Sequence, residues 1–236
     1  MPLRLIISDL DGTIVETEDY HRRAYNVLFK EIGLQVSWSK QDYIDRLKVM
    51  GGEKLREVFA WLKPPQEEYL NFKKEMYFRK TQLYVQLISA DLSSGVLDLR
   101  PGIKRLFDEA INEKVPIAIG TACEKKAAYQ VLHAALGTDF LDSLKVLCGG
   151  DDTPLKKPDP SIYLMVAEKC EVNPKDCVVL EDTRHGMEAA IAAGMKCVVT
   201  PSEYAMDHDF ENANLKLFNL ETPSPTSLKD LSALWK

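Results

Sequence analysis

Two carboxylates, Asp9 and Asp11, leave the first apolar run of the chain in the segment Asp9-Leu10-Asp11-Gly12-Thr13. Residues two apart in extended backbone point the same way, so this spacing holds the pair together. Asp-Gly-Thr is also a good turn sequence, which is the plainer reading. Position favours chemistry, because strand carboxyl ends line the ligand crevice of open α/β sheets. A second acidic pair, Glu181-Asp182, closes the apolar run Val178-Val179-Leu180 just before a helix. Capping of that helix by Asp182 is the plainer alternative. Taken with Asp9 and Asp11, the pair brings four acidic groups to one edge of the sheet. At about 4 Å each like-charge pair costs ~4 kcal/mol at an effective dielectric of ~20. A divalent cation relieves that repulsion, and all-oxygen ligation points to magnesium.

Two further positions suit an anion. Thr121 follows the run Val115–Ile119 through Gly120 and precedes a helix expected from Glu124. Its hydroxyl, with the N–H groups of Ala122 and Cys123, forms a ready phosphate site, simple capping being the alternative. Lys157, in Lys156-Lys157-Pro158-Asp159-Pro160, supplies positive charge unless it only decorates a solvated loop.

Short apolar runs at Leu5–Ile7, Val115–Ile119, Lys145–Leu147, Cys177–Leu180, Cys197–Thr200 and Leu215–Phe218 are the elements that would carry these residues. Their length and continuity suit strands buried on both faces. Helical patterns lie between them, including Glu124–Leu136 closed by Gly137, one from about Ser161, and Thr183–Ala193 closed by Gly194. The alternation predicts an α/β fold with a Rossmann-like, doubly wound parallel sheet. From about Asp19 to Ala90 only helical periodicity appears, with helices expected over Tyr20–Ile32, Gln41–Lys48, Gly52–Leu62 and Gln66–Ile88. The predicted organisation is a core of residues 1–15 and 98–236 interrupted by an all-helical insert, 16–97. Glu16-Thr17-Glu18 and Leu97–Arg100 are the expected hinge strands.

The chain has 236 residues, about one and a half domains at roughly 150 residues apiece, which fits a core with a smaller insert. A formal charge of −6 argues against nucleic acid as a partner. Five cysteines without a C-x-x-C pair read as reduced, mostly buried thiols. Met1–Asp9 reaches charge after too short an apolar run for a signal peptide or membrane span, so the expectation is a soluble protein with no membrane partner.

The ordered set Asp-x-Asp-Gly-Thr, Thr121, Lys157-Pro158 and Glu181-Asp182, followed by Gly186 and Ala189-Ala190-x-Ala192-Ala193-Gly194, resembles the haloacid-dehalogenase (HAD) phosphatase superfamily. The helical insert is similar to that family's cap domain. Thr17-Glu18, His21–Asn26, Tyr43, Gly51-Gly52, Arg100-Pro101-Gly102, Lys156–Pro160 and Val199–Ser202 with Tyr204 are similar to the CbbY-type subgroup, itself related to β-phosphoglucomutase. Known members of that subgroup hydrolyse xylulose 1,5-bisphosphate, an inhibitor of Rubisco, to xylulose 5-phosphate. Where the subgroup has Gly-Gly-Lys, this chain has Gly51-Gly52-Glu53-Lys54, with a lysine one place along.

The resemblance implies a magnesium-dependent phosphatase of the Calvin cycle. Asp9 would be the nucleophile and Asp11 the general acid and base. Mg2+ would be held by Asp9, the Asp11 carbonyl and Asp182, with Glu181 a direct or water-mediated ligand. Thr121, Ala122 and Lys157 would bind the transferring phosphate. Glu16, His21, Tyr43, Gly52 and Lys54 are the implied contacts to the rest of a small sugar phosphate, each with a plainer reading as packing, hinge or solvated surface. A phosphomutase and a non-catalytic phosphosugar-binding protein are the rival readings. The implied compartment is the cytoplasm, or the chloroplast stroma for a mature form, and a monomer is favoured.

Overall fold

In a computed structural model, which describes residues 3–47, 51–62 and 65–236, chain contacts divide the protein into two units. One comprises residues 1–16 and 92–236, the other Thr17–Asp91.

The first unit is built on a parallel sheet. Its strands are β1 (Leu5–Ser8), β2 (Ile117–Gly120), β3 (Val146–Cys148), β4 (Cys177–Glu181), β5 (Lys196–Val199) and β6 (Leu215–Lys216), in the order β3-β2-β1-β4-β5-β6. Every neighbouring pair runs parallel, with Ile7 opposite Ala118 on one side and Val179 on the other. All residues of β1, β2 and β4 are buried, which explains their unbroken apolar runs. Strand order reverses between β1 and β4, so a crevice opens there at the carboxyl ends. Both expected acidic pairs border it.

Most expected strands and helices form, with shifts at their ends. Gly137, at φ 80°, interrupts a helix that runs from Lys125 to Ser143, so the predicted stop is a kink rather than an end. The helix Ile103–Asn112, absent from the sequence reading, buries Ile103, Leu106, Phe107 and Ala110. Neither expected hinge segment is a strand, although Asp11 and Val15 form an isolated bridge.

The second unit is helical. Glu18–Glu31, Lys40–Arg46, Leu55–Leu62 and most of Tyr69–Ser93 supply its helices, and Gly51–Lys54 is a 3-10 turn rather than the expected helix start. The expected end at Lys48 lies outside the described residues. An aromatic core holds the unit: Trp38 meets Phe29 edge-on at 4.7 Å and Tyr25 at 5.0 Å between ring centroids. Asn26 clasps the Trp38 backbone through both amide atoms, accepting from its N–H at 2.7 Å and donating to its carbonyl at 2.9 Å. Among the described residues, no helix is long and apolar enough to cross a membrane.

Candidate active site

Asp9 is the first residue past β1, Thr121 the first past β2, and Glu181 the last of β4. Adjacent parallel strands therefore deliver all three to one edge. Asp182 follows directly, and Lys157 enters from the loop between β3 and the helix Ser161–Lys169. Asp9, Glu181 and Asp182 are buried, and one carboxylate oxygen from each lies within 4.8 Å of the others. Lys157 Nζ donates to Asp9 Oδ1 at 2.5 Å and to Glu181 Oε1 at 2.7 Å, with its side chain 7% exposed. The reading of Lys157 as a solvated loop residue is overturned.

Two glycines make this approach possible. Gly12 has φ +79°, and a Cβ there would lie 2.2 Å from Asp182 Oδ2. A Cβ on Gly186 would overlap the Glu181 carboxylate at 1.9–2.0 Å. Gly186 also donates its N–H to Thr183 Oγ1 at 3.1 Å, which makes Thr183 the helix cap and frees Asp182 from the capping role considered above.

Lys157 pairs with Asp9 and Glu181, and Asp182 lies beside them, so acidic groups outnumber the ammonium at this edge. Burial is the main cause that pushes the Asp9 carboxyl up to about 8. Lys157 opposes the rise, while Glu181 and Asp11 add to it. Lys157 is itself held above its usual range by Asp9 and Glu181, against the effect of burial. This buried all-oxygen set suits a hard divalent cation, which would replace the proton on Asp9. A stability prediction follows. The Asp9 carboxyl is protonated in the metal-free fold but ionised in the unfolded chain between pH 3.8 and about 8, so its contribution to stability falls as pH rises through that window. Thermal unfolding with a chelator should show that loss, and magnesium should reduce it; a chelator-independent profile contradicts the metal site.

Glu181 is heavily engaged. Its Oε1 accepts from Lys157 and from the Tyr163 hydroxyl, and its Oε2 accepts from the Asp182 N–H at 3.0 Å and from Thr183. The Tyr163 ring lies under Lys157 Nζ at 4.8 Å from its centroid. Sequence reasoning missed Tyr163, since a tyrosine on the buried face of a helix carries no signal beyond packing.

The other expected residues are placed as follows. Asp11 is half-buried, and it acts on Asp9 as a nearby like charge. Thr121 is fully buried, but its Oγ1 accepts the Cys123 N–H at 3.1 Å, so that N–H is not open to a phosphate as expected. The helix also starts later, at Lys125, with Ala122 in the connecting turn. Glu16 Oε1 pairs with Arg100 Nε at 3.1 Å within the sheet unit.

In the helical unit, Tyr43 is buried and donates its hydroxyl to Glu18 Oε2 at 3.0 Å. Lys54 lies 5.8 Å from the Tyr43 ring centroid, and burial lowers its pKa with Glu18 opposing. His21 stacks on Tyr84 at 3.9 Å, and its Nδ1 is 2.7 Å from Lys80 Nζ. An ammonium only donates, so Nδ1 is the acceptor. Gly52 lies in the 3-10 turn Gly51–Lys54.

The family model of haloacid dehalogenase-like hydrolases matches residues 3–194. The CBBY-like protein of Arabidopsis thaliana is 40% identical over 217 residues, 89% of this chain; the chain spans 66% of that relative's length. The CbbY protein of Cupriavidus necator is 35% identical over 94% of this chain and 87% of its own. Among solved structures, a CbbY mutant from Rhodobacter sphaeroides in complex with xylulose 1,5-bisphosphate superposes with a TM-score of 0.85, at 29% identity, covering 98% of this chain and 99% of that one. The matched span takes in Asp9, Thr121, Lys157, Glu181 and Asp182, all gathered at one sheet edge, and the chain belongs to the haloacid dehalogenase-like hydrolase family.

Proposed function

We propose that this protein is a magnesium-dependent sugar-phosphate phosphatase that removes the 1-phosphate of xylulose 1,5-bisphosphate, giving xylulose 5-phosphate. The observation that carries the reading is the buried Asp9 carboxylate at the crevice, gripped by Lys157 and beside Asp182. The likeness to a CbbY structure bound to xylulose 1,5-bisphosphate supports the choice of sugar.

In this reading an Asp9 carboxylate oxygen attacks phosphorus in line and forms an aspartyl phosphate. The P–O bond to the sugar breaks, and Asp11 gives its proton to the departing oxygen. Asp11 then takes a proton from water, which attacks the same phosphorus and releases inorganic phosphate and Asp9. Lys157 and Thr121 bind the transferring group and offset its charge. Asp9, Asp182 and the Asp11 carbonyl would hold the magnesium ion, which when bound neutralises charge on the phosphoryl oxygens. Glu181, already occupied by Lys157, Tyr163 and backbone donors, serves this set by fixing Lys157 rather than by direct ligation. As a cap, the helical unit selects the substrate, with His21, Tyr43, Gly52 and Lys54 as its candidates and Glu16 in the segment leading to it.

The test is phosphate release from xylulose 1,5-bisphosphate with magnesium and with a chelator. Asp11→Asn should keep the melting temperature and lower turnover by about 10²- to 10⁴-fold, the usual reach of general acid–base catalysis. An unchanged rate removes Asp11 from that role. Phosphate found on another sugar hydroxyl instead of in solution would mark a phosphomutase.

A further inference from the structure

The chain leaves the sheet unit after Glu16 and returns at Leu92. Eight residues after the return, Arg100 ties three segments together. Its Nη1 donates to the Gly12 carbonyl and, at 2.6 Å, to the Thr200 carbonyl, with Thr200 Oγ1 at 3.2 Å. Nη2 donates to the Pro201 carbonyl at 2.8 Å, and Nε pairs with Glu16 at 3.1 Å. The backbone N–H of Arg100 donates to the Ile14 carbonyl at 2.8 Å. Only 9% of the side chain is exposed. A planar guanidinium with five donors can meet this many acceptors from one point, whereas a lysine ammonium has three donors and no fork.

The partner that matters is Gly12. Its N–H donates to the Val15 carbonyl at 2.8 Å and its carbonyl accepts from Arg100, so the peptides on both sides of Gly12 are fixed. The first of those peptides contains the Asp11 carbonyl. On the other side of the grip, Thr200 and Pro201 follow β5, and Ser202 Cβ lies 3.0 Å from the Cβ position at Gly12. We infer that Arg100 is a positioning residue for Asp11: it locks the backbone turn carrying Asp11 against the loop after β5. The inference rests on the phosphatase reading, in which Asp11 protonates the leaving sugar oxygen.

The test compares wild type with Arg100→Lys and Arg100→Met on two phosphate monoesters. The alkoxide leaving from xylulose 1,5-bisphosphate needs a proton; the phenolate leaving from p-nitrophenyl phosphate needs little help. With magnesium raised until each variant's rate no longer climbs, so that the Asp11 carbonyl's part in holding the metal does not enter, kcat/KM for the sugar bisphosphate should fall about 10²-fold, the scale of an ångström-sized misplacement. For p-nitrophenyl phosphate the fall should be less than about tenfold, because a general acid contributes little to a good leaving group. Amide hydrogen exchange of the Gly12–Glu16 segment should quicken in both variants, with the rest of the sheet protected as in wild type. Equal falls for the two substrates, or unchanged exchange in that segment, would overturn the inference. Failure of both variants to fold would overturn it as well, since Arg100 would then determine the fold rather than the geometry of Asp11. Wild type failing to release phosphate from either ester would instead defeat the phosphatase reading and leave the exchange result to judge Arg100.

Discussion

Asp9→Asn is expected to fold and to lose turnover by more than about 10⁴-fold, the scale seen when a nucleophile is deleted from an otherwise intact site. The two side chains have the same shape, and an amide oxygen still accepts from Lys157 Nζ at the 2.5 Å contact. What disappears is the carboxylate that would carry the phosphoryl group. Stability should move the other way. Burial already favours the neutral form of Asp9, whose pKa sits at about 8, so a permanently neutral residue removes a charge the metal-free fold tolerates poorly. Near pH 8, with chelator present, the variant should melt at or above the wild-type temperature. Phosphate-release assays and thermal unfolding on one preparation check both halves. Wild-type activity in Asp9→Asn rules out the nucleophile role; a large drop in melting temperature shows that the charge holds the fold together.

Lys157→Met is expected to show the opposite pattern. Its ammonium serves Asp9 and Glu181 from a position 7% exposed, so its loss leaves buried Glu181, and Asp9 wherever it is ionised, without a counterion. Breaking a buried pair from one side costs about 3–5 kcal/mol. For a protein of this size that lowers the melting temperature by roughly 6–20 °C. Methionine keeps the packing over the Tyr163 ring, so the loss reports on charge. Turnover should fall by about 10²- to 10³-fold, as when one fixed electrostatic donor is removed. Adding Asp9→Asn to Lys157→Met should restore part of the stability, because the pair is coupled rather than additive. A double variant as unstable as the sum of the single ones would contradict the coupling.

The legible part of this protein was set by local chemistry. Strands buried on both faces must be continuously apolar, so Leu5–Ile7 and Cys177–Leu180 are readable in the sequence, and the residues at their ends fall at one sheet edge. That placement brings Asp9, Glu181 and Asp182 together, as they are in space. The alternation also foretold the sheet, and the long helical stretch foretold the second unit's content. Residues that act by filling or tying were hidden. Tyr163 looks like any core tyrosine, and the grip of Arg100 joins positions 88 to 101 residues away. The Cys123 N–H differs from its expected role because a threonine hydroxyl can satisfy the backbone two residues on, which removes a donor that sequence alone leaves open. Thr183 outcompeted Asp182 as helix cap for a related reason. The missing side chain at Gly12 leaves room for the Asp182 carboxylate beside the β1 loop, and the Thr183 hydroxyl takes the capping N–H of Gly186.

The measurement that bears most directly on the account is kcat/KM for inorganic phosphate release from xylulose 1,5-bisphosphate, set beside ribulose 1,5-bisphosphate under the same magnesium concentration. A site built to relieve Rubisco of an inhibitor must spare the sugar that Rubisco uses. The account predicts one equivalent of phosphate from xylulose 1,5-bisphosphate, xylulose 5-phosphate as the product, and a preference of at least about 10²-fold over ribulose 1,5-bisphosphate, the discrimination available when a buried site pairs a specific hydroxyl. Comparable rates for the two sugars, or no phosphate from either, would contradict it.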